Sequence, residues 1–236
     1  MKVDRFHEGP LVYVTCVQCG LIYQNPRPTQ DSLTRFFSSE GFTSAKDAGR
    51  EDGQIAGYYD YLKDEPFRFK LAKSRLSKLE KILPGKKPLR ILKIACGTGT
   101  FLKVARDHGH EAMGVDVSDI FVRFGRERYN VPLLHGRFED VDLEGREFDA
   151  ILFFGAINNL VEMRKVFDKV KAHLAPEGVF AFNYIDIDNF LARWQKDRFW
   201  LYRPPAIYQF TRQKIPTMLE HFGWRLVEHS SDSQYT

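Results

Sequence analysis

Cysteine is scarce in this chain, three among 236 residues. So few thiols exclude a disulfide framework and suit a reducing cytoplasm. Long apolar runs are lacking too: the longest, such as 150–154, fall far short of the roughly twenty residues a bilayer-spanning helix needs. Residues 1–10 mix charged and polar groups without an apolar stretch, so no secretory leader and no membrane insertion are expected. Strong charge of one sign is also missing. Lys and Arg number 35 against 31 Asp and Glu, a net +4 that by itself gives no case for nucleic acid. Internal repeats and low-complexity tracts are absent. What is plentiful is phenylalanine, 20 residues, many late in the chain. The length fits one large domain, or one with a small appendage.

The cations are unevenly spread. Between Lys63 and Lys93 stand eleven Lys or Arg against three acids, mostly on a helical pattern whose apolar stripe is Ala72, Leu76, Leu79 and Leu83. A solvated helix face explains them, and an anion-binding surface is the alternative. Ahead of this helix, short β segments are expected over 11–23, a turn at Asn25-Pro26-Arg27-Pro28, a helix near 30–39 and a polar linker over 44–57. The long helix runs to Leu83, interrupted near Pro66. Beyond it the chain alternates. Strand patterns cover 89–95, 111–116, 131–135, 148–154 and 178–185, with helical patterns at 100–108, 119–129 and 161–174. A last helix, 212–222, precedes a strand over 225–230. Such alternation predicts an α/β fold, a doubly wound, mostly parallel Rossmann-like sheet, with ligands beyond the carboxyl ends of its strands. The expected division is an N-terminal cysteine-containing segment and linker over 1–50, then the sheet domain over 51–236.

The first strand of the alternation runs into Ala95-Cys96-Gly97-Thr98-Gly99. Two glycines one residue apart let the backbone turn sharply into a helix and approach a ligand closely. A dinucleotide fingerprint would want a third small residue where Leu102 stands, which disfavours a nicotinamide enzyme. Asp116 ends the second strand, seventeen residues after Gly99. A carboxylate there can accept hydrogen bonds from both ribose hydroxyls, or it can simply open the next helix, a task Ser118 could also perform as an N-cap.

With these stretches in place, the sequence resembles the class I S-adenosylmethionine-dependent methyltransferases. The matching runs, in order, are Ile-Leu-Lys-Ile-Ala-Cys-Gly-Thr-Gly (91–99), Gly-Val-Asp-Val-Ser (114–118), Gly-Arg-Phe-Glu-Asp (136–140), Phe-Asp-Ala-Ile-Leu (148–152), Leu-Ala-Pro-Glu-Gly (174–178) and Leu-Glu-His-Phe-Gly-Trp (219–224). Cys16 to Pro28 is similar to the branch carrying an N-terminal Cys-x-x-Cys segment. The resemblance implies methyl transfer from S-adenosylmethionine, leaving S-adenosylhomocysteine, to a small-molecule acceptor by in-line displacement. It implies that Ala95, Cys96, Gly97 and Gly99 cradle the methionyl part and that Asp116 takes the ribose. Val117, Phe138 and Glu139 would frame the adenine, Phe154 with Gly155 would line the sulfonium side, and Tyr58 or Tyr59 would close over the carboxylate.

Some positions depart from that family. Lys93 stands where an acid is usual and Ala95 where glycine is usual; the alanine is tolerable if its φ is negative. Asn158-Asn159 replaces a common Glu-His, and Ile207 a common histidine, so the remaining catalytic candidates are Asn159, Tyr184 and Tyr208. Cys16 and Cys19 have the spacing of half a zinc site, but the only other nearby candidate is His7, and no filled site is expected. Against the family pattern both ends read as short. The aromatic run 190–210 suits a lid over an acceptor, a core cap or a homodimer contact. Two further functions remain in view: a catalytically impaired relative acting as an interaction module, motivated by Lys93, and an RNA-directed methyltransferase, motivated by the basic stretch.

Overall fold

The structure, a computed structural model, describes residues 12–39, 65–195 and 205–230. In chain order the elements are β1 (Tyr13–Thr15), β2 (Ile22–Gln24), α1 (Gln30–Phe37), α2 (Glu65–Ile82), β3 (Arg90–Ile94), α3 (Thr100–Asp107), β4 (Glu111–Asp116) and α4 (Asp119–Tyr129). Then follow β5 (Leu133–His135), β6 (Phe148–Phe153), α5 (Met163–His173), β7 (Leu174–Phe182), α6 (Phe190–Gln195), β8 (Tyr208–Gln209) and α7 (Ile215–His221).

These elements group into two compact units. The larger comprises the described residues of Asp31–Phe154 and Lys165–Phe182. Its five strands pair in parallel in the order β5-β4-β3-β6-β7, the α/β sheet expected from the alternation. Every residue of β6, Phe-Asp-Ala-Ile-Leu-Phe, is buried. A near-continuous apolar run is what a parallel strand covered on both faces requires. Helix α2 buries the anticipated stripe of Ala72, Leu76 and Leu79, which packs with Ile91, Leu102 and Leu152 into one core. Asp149 fastens the amino ends of β3 and β6: its Oδ2 accepts from the Arg90 amide at 2.9 Å and its Oδ1 from Arg90 Nη2 at 3.1 Å. The guanidinium holds this carboxyl below its ordinary pKa. His110 Nδ1 accepts the Leu89 amide at 3.1 Å, so its Nε2 carries the proton and donates to Glu80 at 3.2 Å.

The smaller unit is discontinuous, built from the described residues of Met1–Gln30, Gly155–Arg164 and Asn183–Thr236. Its three-stranded antiparallel sheet runs β1-β2-β8, so the cysteine-containing segment is completed by a strand from the last fifth of the chain. Asn158 locks β8 in place, its amide nitrogen donating to Tyr208 O at 2.8 Å while its own carbonyl accepts the Ile207 amide at 2.8 Å.

Two expectations need correcting. The strand placed at 178–185 runs over Leu174–Phe182, with a register irregularity opposite β6. Gly178 allows this early start, because a Cβ there would stand 2.8 Å from the Ala175 carbonyl oxygen. The strand expected over 225–230 does not form; those residues are irregular and mostly exposed. A short apolar pair such as Leu226-Val227 makes a strand only where a ladder partner exists. No helix among the described residues is long and apolar enough to cross a membrane.

Candidate functional site

From β3 the chain builds outward through β4 to β5, then returns to the other side of β3 for β6 and β7. The strand order therefore reverses between β3 and β6, and the crevice at their carboxyl ends is the ligand position in sheets of this kind. The loop Ala95–Gly99 leaves β3 at that point. It is anchored to β4 by hydrogen bonds from the Cys96 amide to Val115 O (3.1 Å) and from the Gly97 amide to Asp116 Oδ2 (2.7 Å). Three of its residues adopt positive φ: Ala95 at 48°, Gly97 at 58° and Gly99 at 81°. Gly99 also abuts Val131, whose Cγ2 would lie 2.8 Å from an added Cβ.

Asp116 binds the loop to the next helix. Its Oδ1 accepts the Ser118 amide at 2.9 Å, while Ser118 Oγ caps α4 by accepting the Phe121 amide at 3.4 Å. Serine does the capping, and the carboxylate is left to face the loop. Burial pushes the Asp116 pKa up, opposed by the Ser118 and Gly97 amides and by the charge of Lys93.

Lys93 is buried, and its Nζ donates to Ala95 O at 3.0 Å. Desolvation lowers its pKa to about 8, with Arg75 and Arg68 pushing the same way and Asp116 opposing. The ammonium thus satisfies itself chiefly on a backbone carbonyl of the loop. The neighbouring Cys96 thiol is buried and its pKa is pushed well up by desolvation, which makes it a packing group.

Ala95 contradicts the condition set for it, since its φ is positive. The loop takes the turn a glycine would make, and the methyl group is carried in the left-handed region. That conformation costs an L-residue roughly 1–2 kcal/mol. Ala95→Gly is therefore expected to raise stability by about 1 kcal/mol, after the extra chain entropy of glycine is deducted. Chemical denaturation checks it; a loss of stability would mean that the Ala95 methyl group packs favourably.

Other expected residues of the larger unit have definite surroundings. The Val117 carbonyl accepts Ser38 Oγ at 2.9 Å and lies 3.1 Å from His135 Nε2. Phe138 is buried with Lys169 Nζ 5.2 Å from its ring centre, and the same ammonium donates to Glu139 O at 3.3 Å. Phe154 meets Phe101 edge-on at 6.3 Å and carries the Arg75 guanidinium 4.5 Å from its ring centre. Tyr59, like Tyr58, lies outside the described residues.

The catalytic candidates Asn159, Tyr184 and Tyr208 all belong to the smaller unit. Tyr208 is buried, its hydroxyl accepting from Arg27 at 3.2 Å and donating to Val161 O at 3.4 Å. Tyr184 shares a 2.6 Å hydrogen bond with His229 Nε2, and burial lifts its pKa to about 12. Cys16 and Cys19 sit in a tight turn closed by the Gly20 amide on Cys16 O at 2.8 Å. Backbone amides, that of Cys19 foremost, lower the Cys16 pKa, whereas burial raises that of Cys19. Among the described residues no group of three or more His, Cys, Asp or Glu converges on a metal position; His7 lies outside them.

Sequence reasoning missed Arg68, Arg75 and His229. The two arginines were legible in principle: seven apart, they fall on the helix face of Ala72 and Leu79 rather than among the solvated lysines. His229 has no such signal, because its partner is 45 residues away.

A family model described as a methyltransferase domain matches residues 65–229. An uncharacterized protein of Methanocaldococcus jannaschii is 31% identical over 41% of this chain and 37% of its own length. A demethylmenaquinone methyltransferase of Staphylococcus saprophyticus is 26% identical over 53% of this chain and 56% of its own. The matched part thus spans about half, or less, of these relatives. Among solved structures, a methyltransferase from Archaeoglobus fulgidus shares the fold with a TM-score of 0.56, at 19% identity over 71% of this chain and 75% of that one.

Proposed function

This chain belongs to the methyltransferase-domain family, and from that premise we propose that it binds S-adenosylmethionine at the β3–β6 switch point and methylates a small-molecule acceptor. The described residues suit the nucleoside half of that cofactor. A carboxylate offers about four lone-pair positions, and Asp116 uses two of them on the Gly97 and Ser118 amides. The remaining two suit a vicinal diol. That buried, loop-tethered carboxylate at the end of β4 is the observation that carries the proposal.

When bound, the cofactor supplies an electrophilic methyl group on a sulfonium. In-line displacement then asks the protein mainly for alignment and exclusion of water. The Ala95–Gly99 loop, stiffened by its anchors to β4, would hold the methionyl part, and Asp116 the ribose. Val117, Phe138 and Glu139 would bound the adenine, and Phe154 the methyl-bearing side. Relatives that carry the methyltransferase name, the Staphylococcus saprophyticus protein among them, support a small acceptor.

Titration calorimetry with S-adenosylmethionine and S-adenosylhomocysteine tests this. We expect micromolar binding of at least one ligand to the intact chain. Asp116→Ala should weaken it roughly a hundredfold or more, since hydrogen bonds to a charged group contribute about 1.5–3 kcal/mol each. A folded wild-type protein that binds neither ligand would end the proposal.

A further inference from the structure

We propose that Cys16 and Cys19 form a peroxide-sensitive dithiol, in which hydrogen peroxide oxidises Cys16 and Cys19 then closes an intramolecular disulfide. The pair belongs to the smaller unit, so the inference is independent of the cofactor site proposed above.

Both cysteines sit at the tip of the hairpin that joins β1 to β2, whose last ladder pair is Thr15 with Ile22. Past that pair the Cys16 amide donates to Leu21 O at 2.8 Å and the Gly20 amide to Cys16 O at 2.8 Å. Gly20 completes the return with φ at 72°. The chain therefore reverses between Cys16 and Gly20. Residues three apart across so tight a turn have Cα atoms within about 7 Å, a separation that a disulfide can bridge. The two sulfurs already meet: Cys16 Sγ accepts from the Cys19 amide, the Gln18 amide and the Cys19 thiol. Both thiols are free in the structure.

The two residues differ in the way that a two-step oxidation needs. Cys16 is half-buried at a projecting tip, beside a Val17 that is 99% exposed, so a small oxidant reaches its sulfur. The donors aimed at that sulfur favour the thiolate, which is the nucleophilic form. Cys19 is buried and held neutral by desolvation, so the oxidant meets Cys16 first. In the first step the Cys16 sulfur bonds to one peroxide oxygen and the O–O bond breaks. The other oxygen leaves as hydroxide and takes up the proton that Cys16 has shed. In the second step the Cys19 sulfur attacks the Cys16 sulfur. The S–S bond forms, the S–O bond breaks, and the Cys19 proton leaves with that oxygen as water. Two thiols and one hydrogen peroxide thus give one disulfide and two waters. Proximity offsets the weak nucleophilicity of a neutral thiol. The third thiol, Cys96, lacks this setting, being buried in its loop and kept neutral by desolvation. A bridge across so short a loop constrains the unfolded chain little, so it acts as a reversible mark rather than a staple.

The test treats the full chain, reduced and chelator-washed, with hydrogen peroxide, then unfolds it in iodoacetamide and reads its intact mass. Untreated protein should take up three carbamidomethyl groups, one per cysteine. Oxidised protein should take up one, with the bridge mapped by peptide digestion to Cys16 and Cys19, and a thiol reductant should restore all three. Loss of the pair should run about tenfold faster than loss of Cys96, or more. Cys19→Ser should stop at a Cys16 sulfenic acid that dimedone traps, while Cys16→Ser should slow oxidation at Cys19 about tenfold or more. The wild-type mass stands by itself if either variant does not fold. A wild type that keeps three alkylatable thiols would overturn the proposal. So would one that halts at a Cys16 sulfenic or sulfinic acid, joins two chains instead, or loses Cys96 as fast as the pair.

Discussion

Lys93→Met is expected to stabilise the fold by about 2 kcal/mol at pH 7. The lysine pKa falls from an ordinary 10.5 to about 8 in the folded chain, and every tenfold loss of proton affinity on folding corresponds to about 1.4 kcal/mol between the two protonation states. Lys93 is buried, so little of this is screened by solvent. Methionine matches the length of the lysine stem and removes the charge, at the expense of leaving Ala95 O without its donor, roughly 1 kcal/mol. The sign follows from proton counting. Below pH 8 both folded and unfolded chains hold the proton and the penalty is constant. Between pH 8 and 10.5 the unfolded chain holds it and the folded chain does not, so wild-type stability rises with pH. The advantage of Lys93→Met should accordingly shrink over that interval. Urea denaturation at pH 7 and pH 10 reads both effects. A less stable variant, or a difference that pH leaves unchanged, would mean that the ammonium is better accommodated than its desolvation implies.

The Lys93 position also marks how far the sequence could be followed. The parallel sheet was legible because βαβ alternation writes itself into apolar periodicity: the buried β6 and the Ala72, Leu76, Leu79 stripe of α2 both fall where the pattern puts them. The position of Asp116 at the end of β4 was legible for the same reason. What the pattern could not give was conformation inside the loop. A positive φ at Ala95 is set by the need to bring the Gly97 amide onto Asp116, a contact across 19 residues. Hydropathy carries no trace of that constraint. Long-range pairing was equally hidden. Tyr13–Thr15 and Ile22–Gln24 find their third strand in Tyr208–Gln209, and a two-residue strand leaves almost no periodicity to detect. The false strand at 225–230 is the converse case, a short segment around Leu226 and Val227 with no partner to pair with. The basic stretch divides in a similar way. Arg68 and Arg75 are half-buried and lie close enough to Lys93 to lower its pKa, while Lys70, Lys73 and Lys81 remain exposed on α2.

Gly114→Ala should damage both stability and the cofactor site, through a clash that the loop cannot relieve at low cost. A Cβ at this position would lie 2.7 Å from both Cβ and Sγ of Cys96 and 2.8 Å from Cδ1 of Leu102. The Cys96 sulfur could swing away, but its Cβ moves only with the backbone. That backbone is held by the Cys96 amide on Val115 and the Gly97 amide on Asp116. Leu102 is fully enclosed and has no free volume to enter. Forcing a methyl group into such a contact typically costs about 1–3 kcal/mol, and the cheapest escape is to lift the loop from β4. Lifting it strips Asp116 of its Gly97 donor and displaces the surface on which the ligand is to lie. The expected result is a loss of about 2 kcal/mol in urea denaturation, with S-adenosylhomocysteine affinity reduced about tenfold or more. The double variant Gly114→Ala with Cys96→Gly removes the Cβ on the other side of the contact. If the clash is the cause, the two substitutions together should be less harmful than the sum of each alone, by roughly 1 kcal/mol of coupling. Strict additivity would show that Gly114 is required for some property of β4 itself and that Cys96 is a bystander.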